Sequence, residues 1–359
     1  MALKSHSVII DDIQSELGSN TTDFTDAILT TKIAECLPEF SRFSPFIVRE
    51  ILATNDSSKE LDISFISNLL WLLALEYRVG KDDREWRNFT EHYNRILSME
   101  LDFYPDDADS SINTNEVLDA TETGVDCDVD ATTAIPVGTI IRIENELMYV
   151  EATGTTLTVV RGYQHTTGTT HATGLDIMKP ELAYLYVAKS HNIPPLSDLA
   201  GAVDLVAGYA VGVRTIHIDT MGASDTLYKD YIFTIASDGS GTKYRLTEDT
   251  TLATNEGDIT FTPGLAEAVA DNDVVTFENS TLTLPLEPLF IKLVAARAAK
   301  SMAAKFVNAV PTGGPNTWKD FLTLGQTLEN EVIPKLEREA RKYQKPVSFR
   351  PRAELEATT

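Results

Sequence analysis

Two cysteines in 359 residues cannot build a disulfide framework, and no CxxC spacing exists for a thiolate metal clip or a dithiol redox pair. Cys36 falls in a helical pattern and Cys127 in a β pattern, so both read as packing residues. Long apolar runs are missing too. The longest, LLWLLAL at residues 69–75, is far short of the ~20 residues that span a bilayer. The opening segment MALKSHSVIIDDIQSE lacks the apolar stretch of a secretory signal, so the expectation is a protein made in a cytoplasm, with no membrane partner. Positive charge is scarce: 30 Lys and Arg stand against 54 Asp and Glu, for a net −24. So acidic a body repels phosphate and is not a nucleic-acid grip. Residues 1–112, 113–283 and 284–359 carry net charges of −11, −17 and +4, which leaves the C-terminal stretch as the part drawn to an acidic partner. Phosphate-cradling GxxxxGK[ST], GxGxxG, the GxSxG elbow and HExxH are all absent. The expectation is therefore no enzyme, no cofactor and no metal.

Helical periodicity marks both ends. Leu29, Ile33, Cys36, Leu37 and Phe40 form the stripe of an amphipathic helix over 23–40. Asp62 reads as the cap of a second helix through Phe65, Leu69, Leu72 and Leu73 to about residue 78, apolar on nearly every side. Asp82 and Asp83 open a third, with Trp86, Phe89, Tyr93, Ile96 and Leu97 on one face. Toward the other end Leu286, Leu289, Phe290, Leu293 and Val294 begin a helix whose i+4 row continues through Ala298, Met302 and Phe306. After the PTGGP break, Asn316 is expected to cap a helix carrying Trp318, Phe321, Leu322, Leu328 and Val332; Pro334 either kinks it or starts a new helix at its first turn.

Between these ends the period changes to two. Residues 139–143, 147–150 and 157–160 read as three strands, and residues 214–277 repeat the theme. In that reading 214–219 matches 125–130, 231–235 matches 139–143, 243–246 matches 148–151, 259–262 matches 157–160 and 270–277 matches 171–177, an internal duplication. The expected fold is α+β. The N- and C-terminal parts, 1–112 and 284–343, form a helical bundle with two inserted small antiparallel β barrel or sandwich modules, 113–182 and 183–283. An extended basic tail follows at 344–359.

Chemistry-bearing groups are few. Asp126, Asp128 and Asp130 alternate on one strand face as hard oxygen ligands would, or as a solvated face in an acidic protein. His165 and His171 flank a Thr/Gly loop without a zinc spacing, and read as a surface hairpin. In Arg161-Gly162-Tyr163 the glycine suits a positive φ at a strand end, the tyrosine packs over the module and the arginine pairs with an acid. Trp86 and Trp318 read as core or subunit interface rather than binding platforms.

The run GTIIRI at 138–143, ELMYV at 146–150, LTVVRG at 157–162 and HATG at 171–174 resembles a β module common in tailed-phage virion proteins, over about forty residues. Residues 231–277 look like a second module of the same kind. With helical ends added, the chain resembles the adaptor, or head-completion, proteins that sit beneath the portal in tailed phages, though those are usually much shorter. The resemblance implies a structural protein of the virion neck that joins head to tail, assembled in the host cytoplasm. It implies a ring, twelve copies to match the portal, and contact with a portal and a tail or neck protein. Genomic DNA would pass through without specific binding. Leu69, Trp71, Leu72, Ala295 and Ala299 are expected to pack within or between subunits, and Arg341, Lys342, Lys345, Arg350 and Arg352 to dock on the portal. The alternative is a baseplate, tail-tip or decoration protein whose β modules bind a host surface or glycan; a cell-wall hydrolase is a third reading.

Overall fold

Among the described residues the α-helices lie at the two extremities of the chain, and there they meet. The computed structural model describes residues 3–80, 84–222, 225–238, 241–307 and 317–343. Helix α1 (His6–Glu16) starts at Ser5, whose side chain accepts from the Val8 N–H at 3.4 Å. Helix α2 (Asp26–Ser41) buries the expected stripe of Leu29, Ile33, Cys36 and Phe40. Helix α3 (Glu287–Phe306) starts with proline in its first turn, and α4 (Thr317–Tyr343) runs on through Pro334 as one helix. All four feed one apolar core, where Ile9, Ile13, Phe24, Leu29, Phe40, Phe290, Val294, Val332 and Leu336 are buried. Phe40 and Phe290 meet edge-to-face at 5.2 Å between centroids. Gly325 brings α4 onto α3: a Cβ there would lie 2.9 Å from the Ala296 carbonyl. Among the described residues, no helix is long and apolar enough to cross a membrane.

Where two helices were expected over 62–78 and 82–97, the described residues form strands; Asp82 and Asp83 lie outside the described residues. Leu69–Glu76 is a strand, half-buried or buried at every position, and it pairs antiparallel with Leu182–Lys189. A strand covered on both faces shows a continuous apolar run, which periodicity alone cannot separate from a buried helix. The partner that decides the matter lies over a hundred residues away. Asp62 ends the strand Glu60–Asp62, and its carboxylate accepts from the Ser64 N–H at 2.7 Å, closing a turn rather than capping a helix. The aromatic spacing over 86–97 falls on the short strands Trp86–Arg87, Phe89–Glu91 and Ile96–Met99, with Arg95 at φ 61 in the turn before the last.

Phe46 therefore opens a separate β unit where a helical bundle was expected. Its four-stranded antiparallel sheet has the order Phe46–Ala53, Leu182–Lys189, Leu69–Glu76, Trp86–Arg87. A three-stranded sheet, in the order Glu60–Asp62, Ile96–Met99, Phe89–Glu91, shares its core through Leu52, Leu61, Leu75, Tyr77, Leu97, Leu185 and Val187.

Two further β modules follow. Module 1 is a six-stranded antiparallel sheet, in the order Ala108–Asn113, Asp176–Lys179, Ile140–Ile143, Glu146–Ala152, Thr156–Val160, Gly124–Asp126. A bridge between Thr114 and Cys127 joins its two edges. Module 2 is a closed barrel, in the order Ala200–Val203, Thr215–Asp219, Gly257–Thr262, Tyr244–Leu246, Ile232–Ile235, Val274–Phe277. Read in the opposite direction around the barrel, module 2 has the strand order of module 1.

The hydrogen bonds outside the strands repeat as well. Leu118 and His171 bond reciprocally, as do Tyr209 and Val269. Gly174 N–H donates to Thr114 O at 2.7 Å, and Asn272 N–H to Val203 O at 2.8 Å, each donor at positive φ. Gly138 N–H donates to Val150 O at 2.9 Å, and Asp230 N–H to Leu246 O at 3.0 Å, with φ 86 and 71. The architecture thus carries the duplication, with two corrections to its alignment. Ile216 corresponds to Val125, since these face Ile259 and Leu157, a two-residue shift that keeps every side chain on its face. Leu246 corresponds to Val150 rather than Glu151.

Candidate functional site

Buried polar side chains gather in clusters, the first of them inside module 1. Glu146 is wholly buried, and its carboxylate accepts from Arg161 Nε at 2.6 Å and Nη2 at 2.7 Å, from the N–H groups of Gly162 and Thr169 at 3.0 Å each, and from His171 Nε2 at 2.9 Å. Burial alone would raise its pKa; the Arg161 guanidinium, the two N–H groups and His171 outweigh that and hold it down to about 2. Arg161 also donates to the carbonyls of Asp119, Glu122 and Thr169. Gly162 takes φ 60, where a Cβ would lie 2.8 Å from the Thr166 carbonyl. Tyr163 packs on Tyr149, and the Arg214 guanidinium of module 2 lies over both rings, at 4.6 Å from Tyr149 and 4.9 Å from Tyr163. The corner read from sequence is a structural one, with its acid now identified as Glu146.

A second cluster joins module 2 to the four-stranded sheet. Lys189 Nζ lies 3.0 Å from Glu50 and 2.8 Å from Asp230, while Arg245 reaches the same two carboxylates at 2.5 and 2.6 Å. Ser67 and Asn68 also donate to Asp230, at 2.9 and 3.3 Å. Burial opposes ionisation of Asp230, but Lys189 and Arg245 together bring its pKa below the ordinary carboxylate value. Charges buried this way persist only when paired.

A third junction ties the helices to the sheet through His191. Its Nε2 donates to the Ser44 carbonyl at 2.9 Å, and Nδ1 accepts from the Thr281 hydroxyl at 3.1 Å. Burial pushes this imidazole down to about 4. The unfolded chain binds the proton near pH 6.5 and the folded one does not, so this contribution is present above 6.5 and lost as pH falls toward 4. The helical unit is expected to lose up to about 3 kcal/mol between pH 7 and 4.5 from this group. Hydrogen exchange of α2 and α3 at the two pH values checks it; His191→Asn should flatten the difference.

The other expected site residues do not converge. Asp126, Asp128 and Asp130 share no strand face, because the strand ends at Asp126. Asp126 accepts from Thr156 at 2.6 Å, Asp128 from the Asn113 N–H at 3.0 Å, and Asp130 from the Thr132 N–H at 2.9 Å. His165 is at the surface, against Phe65 and Ser64, whereas His171 is fully buried rather than in a surface hairpin. Trp86 stacks at a tilt on Tyr186 at the sheet edge, and Trp318 is half-buried at the start of α4. Burial raises the Cys36 thiol to about 12 and Cys127 to about 11, so both are inert at neutral pH.

Ala295 and Ala299 are fully buried in the helical core of their own chain and pack there. Leu69 and Leu72 pack against the β unit's core, and Trp71 lines an open groove of about 500 Å³ with Glu91, His92, Tyr93 and Arg95. Arg341 and Lys342 are exposed in the last turn of α4, Lys342 paired with Glu339 at 2.5 Å. Lys345, Arg350 and Arg352 lie outside the described residues. A groove of about 310 Å³ where module 1, module 2 and the sheet meet is lined by Arg161, Arg214 and Lys229, each already engaged: Arg161 with Glu146, Arg214 with the Phe261 carbonyl, Lys229 with the Phe65 carbonyl.

Sequence reasoning missed Glu50, Lys189, Asp230, Arg245 and His191. Charged residues within apolar strands, as Lys189 stands after LAYLYVA, were the available signal. Comparison of the chain with protein-family models, with curated proteins and with solved structures finds no match.

Proposed function

We propose that this chain is a structural virion protein, a head-to-tail connector adaptor that assembles as a ring beneath a phage portal. The observation that carries the reading is the use made of the residues behind the resemblance. Glu146, Arg161, Gly162 and His171 are consumed in holding module 1 together, as a recurring structural module requires, and none is left presented to a substrate. Two modules of one topology are joined to the β unit, which His191 ties in turn to a helical unit drawn from both chain ends. Ring contacts are assigned to the half-buried strand face around Trp71, and portal docking to the basic stretch from Arg341 to Arg352. The acidic body keeps passing DNA from adhering to the wall.

Mass photometry of the purified chain is expected to show one large closed oligomer, near twelve copies, and Trp71→Glu to shift it toward monomer without loss of fold. A stable monomer or trimer that binds host cells instead would move the assignment to a baseplate, tail-tip or decoration protein. Deleting 341–359 is expected to weaken portal binding and reduce its salt dependence; unchanged binding overturns the docking role.

A further inference from the structure

We propose that the rim of module 2 binds a first-row divalent transition cation, with zinc as the best fit, through Asp204, His217 and Glu256. One ligand atom from each lies within 4.8 Å of the others. Bond lengths near 2.0–2.2 Å put two ligands of one ion about 3–4.4 Å apart, so small rotamer changes close the set. Three segments converge here by the barrel's own register. Asp204 follows the strand Ala200–Val203, and its N–H donates to the His217 carbonyl at 3.0 Å. His217 is on the outer face of Thr215–Asp219, and Glu256 immediately precedes Gly257–Thr262.

The histidine is already oriented. Asp258 lies directly across the ladder and accepts from His217 Nδ1 at 2.7 Å, which leaves the Nε2 lone pair for an ion. Among the described residues, neither Asp204 nor Glu256 has a hydrogen-bonding or cationic partner for its carboxylate. A separate observation comes from Asp219, two residues beyond His217 on the same face, whose Oδ1 is buried without a partner. No Lys or Arg occurs in 190–213, 215–228 or 246–291, so the chain segments around the set supply no counter-charge. One imidazole with two carboxylates selects a borderline ion over calcium, which prefers an all-oxygen shell. The ion would pin the end of the strand Ala200–Val203 to its neighbours. This inference does not rest on the connector reading.

The test is calorimetric titration of the chelator-treated full chain with Zn²⁺ and, separately, Ca²⁺, alongside thermal unfolding. The expected result is a zinc site abolished by His217→Ala, weakened about tenfold or more by Asp204→Asn and by Glu256→Gln, and weakened about tenfold by Asp258→Asn. Zinc should raise the unfolding temperature of the parent and not of His217→Ala. Circular dichroism confirms folding of these surface variants. Zinc binding unchanged in His217→Ala would assign it to other histidines and overturn the proposal. So would calcium binding tighter than zinc and indifferent to His217, or no zinc binding at millimolar concentration.

Discussion

Glu146→Ala is expected to destabilise module 1 by about 3–5 kcal/mol, one of the two largest single-residue effects in the chain. The loss is that of a partner and not merely of a contact. Arg161 remains buried without its carboxylate, and the N–H groups of Gly162 and Thr169 and the His171 ring nitrogen lose their acceptor. With several units in one chain, a single global midpoint is a poor readout. Hydrogen exchange resolved on residues 138–177 is the measurement; near-parent protection in that segment would show that the cluster does not hold the module. Glu146→Gln keeps shape and one acceptor oxygen, and should cost less. The same carboxylate sets an acid limit. Its folded pKa is depressed to about 2, so its contribution is complete above the unfolded value near 4.3 and disappears as pH falls toward 2. Module 1 protection should decline across that window in the parent, and less steeply in Glu146→Gln.

The second large effect is expected at Asp230. Its removal leaves Lys189 and Arg245 sharing Glu50 alone, in a site where Lys189 is 1% exposed. Breaking a buried pair from one side costs about 3–5 kcal/mol. Backbone conformation complicates an alanine substitution, because Asp230 sits at φ 71. Module 1 shows the cleaner variant: Gly138 occupies the corresponding position, at φ 86. Asp230→Gly removes the charge without left-handed strain and should cost nearly as much as Asp230→Ala. Denaturant titration followed by exchange on 182–189 and 230–246 reads it out. If Asp230→Gly is as stable as the parent while Asp230→Ala is not, the residue matters for its backbone and not its charge.

Much of the local structure was legible. The stripe from Leu29 to Phe40 and the i+4 row from Leu286 to Phe306 became α2 and α3 because amphipathic helices satisfy their own backbone bonds, so sequence period and structure coincide. Period-two runs at 139–160 became strands as well; Thr156–Val160 has one buried and one open face, whereas Ile140–Ile143 is buried on both. The Arg161-Gly162-Tyr163 corner was readable because only glycine accommodates that turn. Where the period was ambiguous, reading failed. A seven-residue apolar run at 69–75 fits a buried helix or a buried strand, and Ala183, Leu185 and Val187 settle it from far along the chain. Asp126, Asp128 and Asp130 looked like one face, but the strand stops at the first of them.

The helices α2 and α3, the central β character and the repeated theme within it follow from sequence. These are properties of composition and of short-range period, which any segment carries with it. Tertiary structure alone decided the β unit that begins at Phe46, the matching strand order of the two modules, and the partners of Glu146, Asp230 and His217. Strand pairing and charge pairing are choices among residues distant in sequence. The energy that makes the choice, burial of a face or compensation of a charge, exists only once those residues meet.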